Sequence, residues 1–509
     1  MNELPTKLIL FISERGFKTN MNAIVKHPTH ISITNYEIGE CKRIENAYVY
    51  RENWAIHKVG ITYDNDTKEL RIFGGANIQF IQKLSGGLPV IIDPCYDPYK
   101  KIQIRLEAYP RSELQKNMIQ FLIGSGDWDY TKHATQISCN AETGEGKTFC
   151  TIALMSFLKV RTIVILNREK IRQTWLSEIM NFTDLNEKNI LVIDKGSILE
   201  DILNNEFDDK QYLAFLIVHR MLNTFASKYG WEAVHQVFLK LGIGLKIYDE
   251  AHMEFANTTM IDCYTHTAKT LYLTATPKLS NPKANFIYQH IFQTIPRFDQ
   301  RALGYTDSKR HITMLCFMYD SHPDIDWKGR CFNSYRKCFV AKEHSVYQVM
   351  EDPYFMDIIE ETIEKMAVKN KFRSIIFVSR ILSCDIIANK LNQTFAGKIK
   401  AGSYHSKKSA SEKEDVMKNC DVIVSTNASL GLGVTIDNLQ FVFNCEAHRN
   451  LGDQSSGRLR RYGEGLQFYY AELVDCGFKS IMKQWNSRRK HYREIFNEVI
   501  TIDLRKDRF

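Results

Sequence analysis

The sequence predicts an α/β protein with two tandem parallel-sheet domains and a small N-terminal α/β domain. Three observations lead there. Short apolar segments alternate with longer helical segments in two separate runs, the pattern of strand–helix repeats in a parallel sheet. A glycine-rich loop stands between a strand-like and a helix-like segment. A second short apolar run ends in two adjacent carboxylates, as a buried strand does when it delivers acids to the carboxyl edge of such a sheet.

Residues 1–108 form the first unit, an accessory domain with a candidate role in nucleic-acid binding. Within it, 48–50, 59–63 and 70–73 read as short strands, separated by turn signals such as Asp64-Asn65-Asp66. The first parallel-sheet domain spans 109–299, with strands at 137–140, 162–166, 190–193, 212–218, 245–248 and 270–274 and helices at 169–180 and 231–241. The second spans 300–478, with strands at 374–378, 401–404, 421–425, 440–444 and 467–472 and helices at 381–392 and 411–418. Residues 277–310, with Pro277, Pro282 and Pro296, read as the connection, and 321–370 as an insertion on the second domain. Residues 479–499 read as a basic helix carrying Arg488-Arg489-Lys490 and Arg493, so that 479–509 forms the last unit. Its basic face is open to two readings, a solvated surface or a nucleic-acid contact.

The chain has 509 residues, enough for about three domains, and 44% of them are hydrophobic, the ordinary content of globular cores. Its 67 basic and 59 acidic residues leave a net charge of +8, compatible with a polyanionic partner. The 12 cysteines include no Cys-x-x-Cys, and the nearest two are Cys331 and Cys338. That spacing suggests neither a cysteine zinc site nor a disulfide framework, and points to a reducing, intracellular compartment. The sequence shows no signal peptide and no apolar stretch of membrane-spanning length, so no membrane association is expected.

The glycine-rich loop is Ala141-Glu142-Thr143-Gly144-Glu145-Gly146-Lys147-Thr148. It fits the phosphate-binding pattern Gly-x-x-x-x-Gly-Lys-Thr except at its first position, where Ala141 stands. Glycines let the backbone turn its N–H groups towards phosphates, Lys147 places a cation beside the β- and γ-phosphates, and Thr148 offers a hydroxyl to Mg²⁺. The helix that follows adds its positive end. Residues 243–248 lead into Asp249-Glu250-Ala251-His252, where Asp249 can hold Mg²⁺ through water and Glu250 can polarise an attacking water. Thr274-Ala275-Thr276-Pro277 follows the next strand and can link the acid pair to a nucleic-acid side. Two further segments lie in the second domain: 425–437, and Gln454-Ser455-Ser456-Gly457-Arg458-Leu459-Arg460-Arg461. Arg458 and Arg461 are three apart, hence on one face of a helix, and planar guanidinium groups suit the charge on a transferring phosphoryl group.

These segments, in this order over residues 109–474, resemble superfamily 2 helicases of the Asp-Glu-Ala-His (DEAH) kind. Gln173, Trp175 and the stretch 431–439 make the chain similar to one branch of them. That branch contains the phage helicase UvsW, the XPB-type repair and transcription helicases, the poxvirus transcript-release helicase and the related helicase of African swine fever virus. The resemblance implies two RecA-like domains, ATP and Mg²⁺ as cofactors, and ATP-driven translocation with strand separation on DNA or RNA. It also implies a role in viral transcription, replication or repair, with partners from those processes, in the host cytoplasm and in some cases packaged in the virion. By the same resemblance Gln115 reads adenine, Gln454 touches the γ-phosphate, and Arg458 and Arg461 are arginine fingers. Asn167, Arg168, His219, Ser379, Arg380 and Thr426 line the nucleic-acid path. The choice between DNA and RNA, and between unwinding and duplex translocation or annealing, stays open at this point. A nucleotide-switched scaffold is the alternative outside the enzymes.

Overall fold

The structure is a computed structural model. It describes all residues except 1–21, 37, 53–54, 66, 143, 275–281, 293, 301, 305–309, 322–329, 334, 336–337, 428, 431–435, 437, 446–458, 460–466 and 506–509. The chain divides into two units, Met1–Tyr305 and Thr306–Phe509.

The first unit begins with seven short strands: β1 (Ile24–Lys26), β2 (His30–Thr34), β3 (Val49–Glu52), β4 (Ala55–Lys58), β5 (Ile61–Asp64), β6 (Glu69–Phe73) and β7 (Val90–Ile92). Five of them form a mixed sheet in the order β5-β6-β2-β1-β7, while β3 and β4 make a separate hairpin. Its inward residues Ile31, Ile33, Leu70, Ile72 and Phe73 belong to the same apolar cluster as Tyr248, Phe255 and Phe292 of the following domain. The small sheet therefore does not bury a core alone; it completes one with its neighbour.

That neighbour is a parallel sheet of β8 (Gln136–Asn140), β9 (Thr162–Leu166), β10 (Ile190–Val192), β11 (Ala214–Val218), β12 (Leu245–Tyr248), β13 (Lys269–Thr274) and β14 (Arg297–Asp299). The strand order is β10-β11-β9-β12-β13-β8-β14. Continuous apolar strands such as Thr162–Leu166, buried at every position, require cover on both faces. Helices such as Lys147–Leu158 and Ile171–Phe182 provide it. Buried polar residues interrupt the apolar strands, Lys246 most fully. Lys246 of β12 is fully buried, its Nζ 2.5 Å from Asp262 Oδ1, and that carboxylate also accepts from the hydroxyls of Tyr248 and Tyr272. Paired and hydrogen-bonded in this way, the two charges are tolerated in the interior.

The second unit holds β15 (Arg310–Tyr319), a short hairpin of β16 (Phe332–Asn333) and β17 (Cys338–Phe339), then β18 (Arg373–Phe377), β19 (Ala401–Tyr404), β20 (Val422–Ser425), β21 (Leu439–Asn444), β22 (Phe468–Asp475) and β23 (Phe496–Asp503). Seven strands pair in the order β19-β20-β18-β21-β22-β15-β23, all parallel. Alternate residues feed two cores: Ile376, Val424 and Phe443 on one face, Ile375, Ile423 and Val442 on the other. The segment read as an insertion supplies the helices Ala341–Glu351 and Pro353–Ile363, and Phe355, Ile358 and Ile359 pack into the first of these cores.

The C-terminal segment corrects the sequence reading. The helix covers Lys479–Ile495 and stops there; Phe496–Asp503 is a strand of the second sheet. The β-branched run Val499-Ile500-Thr501-Ile502 favours extended backbone and pairs along β15. The helix is also not wholly a basic surface. Trp485 and Tyr492 are buried, and Arg488 is an interior residue whose guanidinium donates to Glu472 Oε2 from Nε at 3.2 Å and Nη2 at 3.1 Å.

Candidate nucleotide site

Three strand ends of the first domain bring the site together. Tyr248 is level with Tyr272, and Thr274 with Asn140, so β12, β13 and β8 end close together at the carboxyl edge of the sheet. Ligands of parallel α/β sheets bind at that edge.

The loop after β8 owes its shape to Gly144 (φ +94°) and Gly146 (φ +87°), both in the left-handed region. Gly146 precedes the helix Lys147–Leu158 without any side-chain cap, so the first helical N–H groups are left for an anion. A side chain at 146 would be strained by the positive φ, and its Cβ, 2.3 Å from Gln115 Nε2, would displace the Gln115 amide. Gln115 is thus pressed onto the loop. Its Nε2 donates to Glu145 O at 3.3 Å, and its Oε1 accepts from the Arg111 N–H at 2.8 Å. Lys147 Nζ donates to the carbonyls of Ala141 (2.7 Å) and Glu142 (3.2 Å). Gln300, buried beyond β14, accepts from the Glu142 N–H at 2.9 Å. No sequence signal marks Gln300; only the pairing of β14 with β8 places it there.

The acid pair sits on the turn after β12. The Asp249 N–H donates to Ile165 O and the Ala251 N–H to Leu273 O, so the turn is tied to the strands on both sides. Glu250 has φ +50°. A left-handed backbone costs a non-glycine residue roughly 1–2 kcal/mol, and such strain is concentrated at functional sites. Trp175 Nε1 donates to Asp249 Oδ2 at 3.0 Å, which fixes one carboxylate oxygen. Burial, then the adjacent Glu250 charge, pushes Asp249 up to about 6, against the Trp175 hydrogen bond and the Lys147 charge. His252 Nδ1 lies 3.4 Å from Glu250 Oε2 and 2.7 Å from Thr274 Oγ1, linking the catalytic candidate to the end of β13. Burial, then the Lys147 charge, lowers His252 to about 4, so the ring is neutral at physiological pH. Lys147 acts on both Asp249 and His252, which puts the loop and the acids in one electrostatic site.

This donor set fits a magnesium nucleotide. It comprises uncapped helix N–H groups, an ammonium, the hydroxyl residue Thr148 in the first helical turn, and a carboxylate held by Trp175. One prediction follows from the raised Asp249. Its folded pKa lies above the ordinary 3.8, so its contribution to stability is fully present below about 3.8, falls as pH rises from there to about 6, and is lost above it. Asp249→Asn is therefore expected to raise the melting temperature at pH 8 without nucleotide, and to leave it nearly unchanged at about pH 3.5, below the ordinary carboxylate pKa. Equal shifts at both pH values in a thermal scan would contradict the burial argument.

The other expected residues fall in different places. Asn167 and Arg168 follow β9, and Asn167 Nδ2 is 3.1 Å from Met253 Sδ. His219 lies away from the surface. Expected along a nucleic-acid path, its ring is only 2% exposed and stacks on Tyr248 at 5.7 Å, because it opens a helix packed over the sheet. In the second unit Ser379 and Arg380 precede the helix Ile381–Thr394 and line a hollow of about 410 Å³ with Val346 and Met350. Thr426 is largely buried, and its Oγ1 lies 2.8 Å from Ser429 Oγ. Thr143, Gln454, Arg458 and Arg461, and residues 275–277, lie outside the described residues.

Two family models match the chain in order: "Type III restriction enzyme, res subunit" over residues 108–279, and "Helicase conserved C-terminal domain" over 356–463. The chain carries the two core domains of a superfamily 2 helicase. The chain is 21% identical over 378 residues to "Putative helicase 161L" of Invertebrate iridescent virus 6, covering 71% of this chain and 76% of that protein. Among solved structures it is similar to S. cerevisiae Dbp5 bound to RNA and ADP BeF3, with a TM-score of 0.50 and 14% identity over 77% of this chain and 90% of that one. It is also similar to the DEAD-box helicase Mss116 bound to ssRNA and UDP-BeF, with a TM-score of 0.51 and 13% identity over 78% and 76%. At these identities the likeness is one of fold, and both parallel sheets are RecA-like.

Proposed function

We propose that this protein is an ATP-dependent helicase or translocase that couples ATP hydrolysis to movement along nucleic acid and to strand separation. The observation that carries the reading is the meeting of Lys147, Asp249 and Glu250 at the carboxyl edge of one parallel sheet, with Glu250 braced by His252. Bound Mg·ATP would supply the phosphoanhydride bond and a divalent charge over the β- and γ-oxygens. Lys147 would grip those oxygens, Thr148 and Asp249 would hold the metal, and Glu250 would orient the attacking water and take its proton. By the same resemblance Gln115, bonded to Glu145 O of the loop, would read the base. By sequence pattern we assign Gln454, Arg458 and Arg461 to the γ-phosphate, and Asn167, Arg168, Ser379 and Arg380 to the nucleic-acid path.

Arg458→Ala and Arg461→Ala are each expected to lower kcat with little change in nucleic-acid affinity. Full turnover in the double variant at saturating nucleic acid, with an altered salt slope of binding, would make them surface phosphate contacts instead. The iridescent virus relative and the motif resemblance support a place in viral transcription, replication or repair, in the host cytoplasm, in the UvsW and XPB branch, with 3′→5′ polarity. The deciding experiment is ATP-dependent unwinding of DNA, RNA and hybrid duplexes bearing 3′ or 5′ tails. Strand-stimulated ATPase without displacement of any duplex would replace unwinding by translocation. ATPase indifferent to nucleic acid would overturn the motor reading.

A further inference from the structure

At the opposite, amino edge of the first parallel sheet, the small N-terminal sheet and the first domain enclose a cleft of about 900 Å³. That volume is at the upper end of the roughly 300–1,000 Å³ typical of ligand pockets. Its walls carry an unusual charge arrangement. Lys26, Lys132 and Lys269 all line it, with Asp93 as the lining carboxylate. Asp93 Oδ2 lies 3.2 Å from His27 Nδ1, whose pKa burial lowers, so the cleft sets three ammonium groups against one carboxylate.

The two more buried lysines have only carbonyl partners among the described residues. Lys26 Nζ donates to Gly74 O, and Lys269 Nζ donates to Thr131 O at 3.0 Å and Lys132 O at 3.4 Å. Burying an ammonium without a counter-charge is unfavourable, and burial lowers both to about 8. Beside them Tyr96 is 46% exposed, its ring centroid 6.0 Å from that of Tyr99, which also lines the cleft. Cations along a cleft wall seek phosphates, and an exposed aromatic ring seeks bases; single-stranded nucleic acid offers both on one ligand.

We propose that this cleft is a second nucleic-acid site, which takes a short single-stranded segment with its phosphates on Lys26, Lys132 and Lys269 and a base against Tyr96. It lies at the edge of the sheet away from Lys147 and Glu250, so it is separate from the nucleotide site and does not depend on the helicase assignment. It would tether a strand to the protein independently of the ATP cycle.

The test uses the full chain and a fluorescein-labelled ten-nucleotide homopolymer, as DNA and as RNA, without ATP. Tyr96→Ala and Lys132→Glu change exposed side chains and keep the fold testable; Lys26→Ala is the more invasive variant. Each is expected to weaken binding about tenfold by anisotropy, the lysine variants also reducing the salt slope by about one. Basal ATP turnover without nucleic acid should stay unchanged. Photo-crosslinking of a 4-thiouridine oligonucleotide should map to the segment holding Tyr96 and Tyr99. Unchanged affinity and salt slope in all three variants, or crosslinks confined to other segments, would overturn the proposal. So would displacement of the oligonucleotide by inorganic phosphate or a mononucleotide at equal phosphate concentration, which would make the cleft a simple anion site. Loss of duplex unwinding with oligonucleotide binding retained would bear on the motor reading alone.

Discussion

Glu250→Gln is expected to lower steady-state ATP hydrolysis by on the order of 10²-fold or more while leaving nucleotide binding intact. The amide keeps the size and the strained backbone position of Glu250, at φ +50°, so the loop and Asp249 stay where they are. What is lost is the capacity to take a proton from the attacking water. His252 Nδ1, the atom nearest Glu250, is already engaged by Thr274 Oγ1 at 2.7 Å. Single-turnover hydrolysis and equilibrium nucleotide binding, measured on the same preparation, separate the two effects. Near-normal hydrolysis by the Gln variant would remove Glu250 from the chemical step.

Lys147→Ala is expected to have the opposite signature: Mg·ATP binding weakens severely and turnover disappears with it. The ammonium hydrogen-bonds the carbonyls of Ala141 and Glu142, at 2.7 and 3.2 Å, so it also holds the loop that must wrap the phosphates. A charge-assisted contact to a phosphate is about twice as strong as a neutral hydrogen bond. Its removal should cost about two orders of magnitude or more in affinity, at roughly 1.4 kcal/mol per tenfold. Lys147→Arg does not restore the site, since a planar fork cannot replace a compact point charge in a loop this tight. Calorimetry decides: equal affinity for Mg·ATP in wild type and Ala variant would discredit the loop as the phosphate site.

These parts of the site were legible because their chemistry is local. A glycine pair followed by Lys147-Thr148 specifies a backbone shape within a few residues, and Asp249-Glu250 shows itself by ending an apolar strand. Residues that act through tertiary pairing were not legible in the same way. Gln300 reaches Glu142 because β14 lies beside β8. Trp175 stood out in the sequence, but its bond to Asp249 exists only once its helix packs on the sheet. Lys246 lay hidden in a segment read as apolar, since its neutralising partner Asp262 is on the next helix. His219 followed an apolar strand as a binding residue would, yet the helix it opens turns it inward. Among the strands, the long and wholly buried ones could be read directly. Short strands such as β1 and β7, and β23 after a strongly basic helix, depend on a partner strand that composition does not announce.

The position of β15 has a consequence for how the polypeptide is made. Ile312 pairs with Phe468, and Thr313 with Glu498, so this strand is held between two partners synthesised much later. Loop closure over such separations is slow, and unpaired strand edges invite association with other chains. On the ribosome the first domain can fold while β15 still waits with both edges open, and the second sheet cannot close until residue 503 has emerged. Expression yield should therefore respond more strongly to chaperone supply, and to translation speed across residues 320–500, than to changes in the nucleotide site.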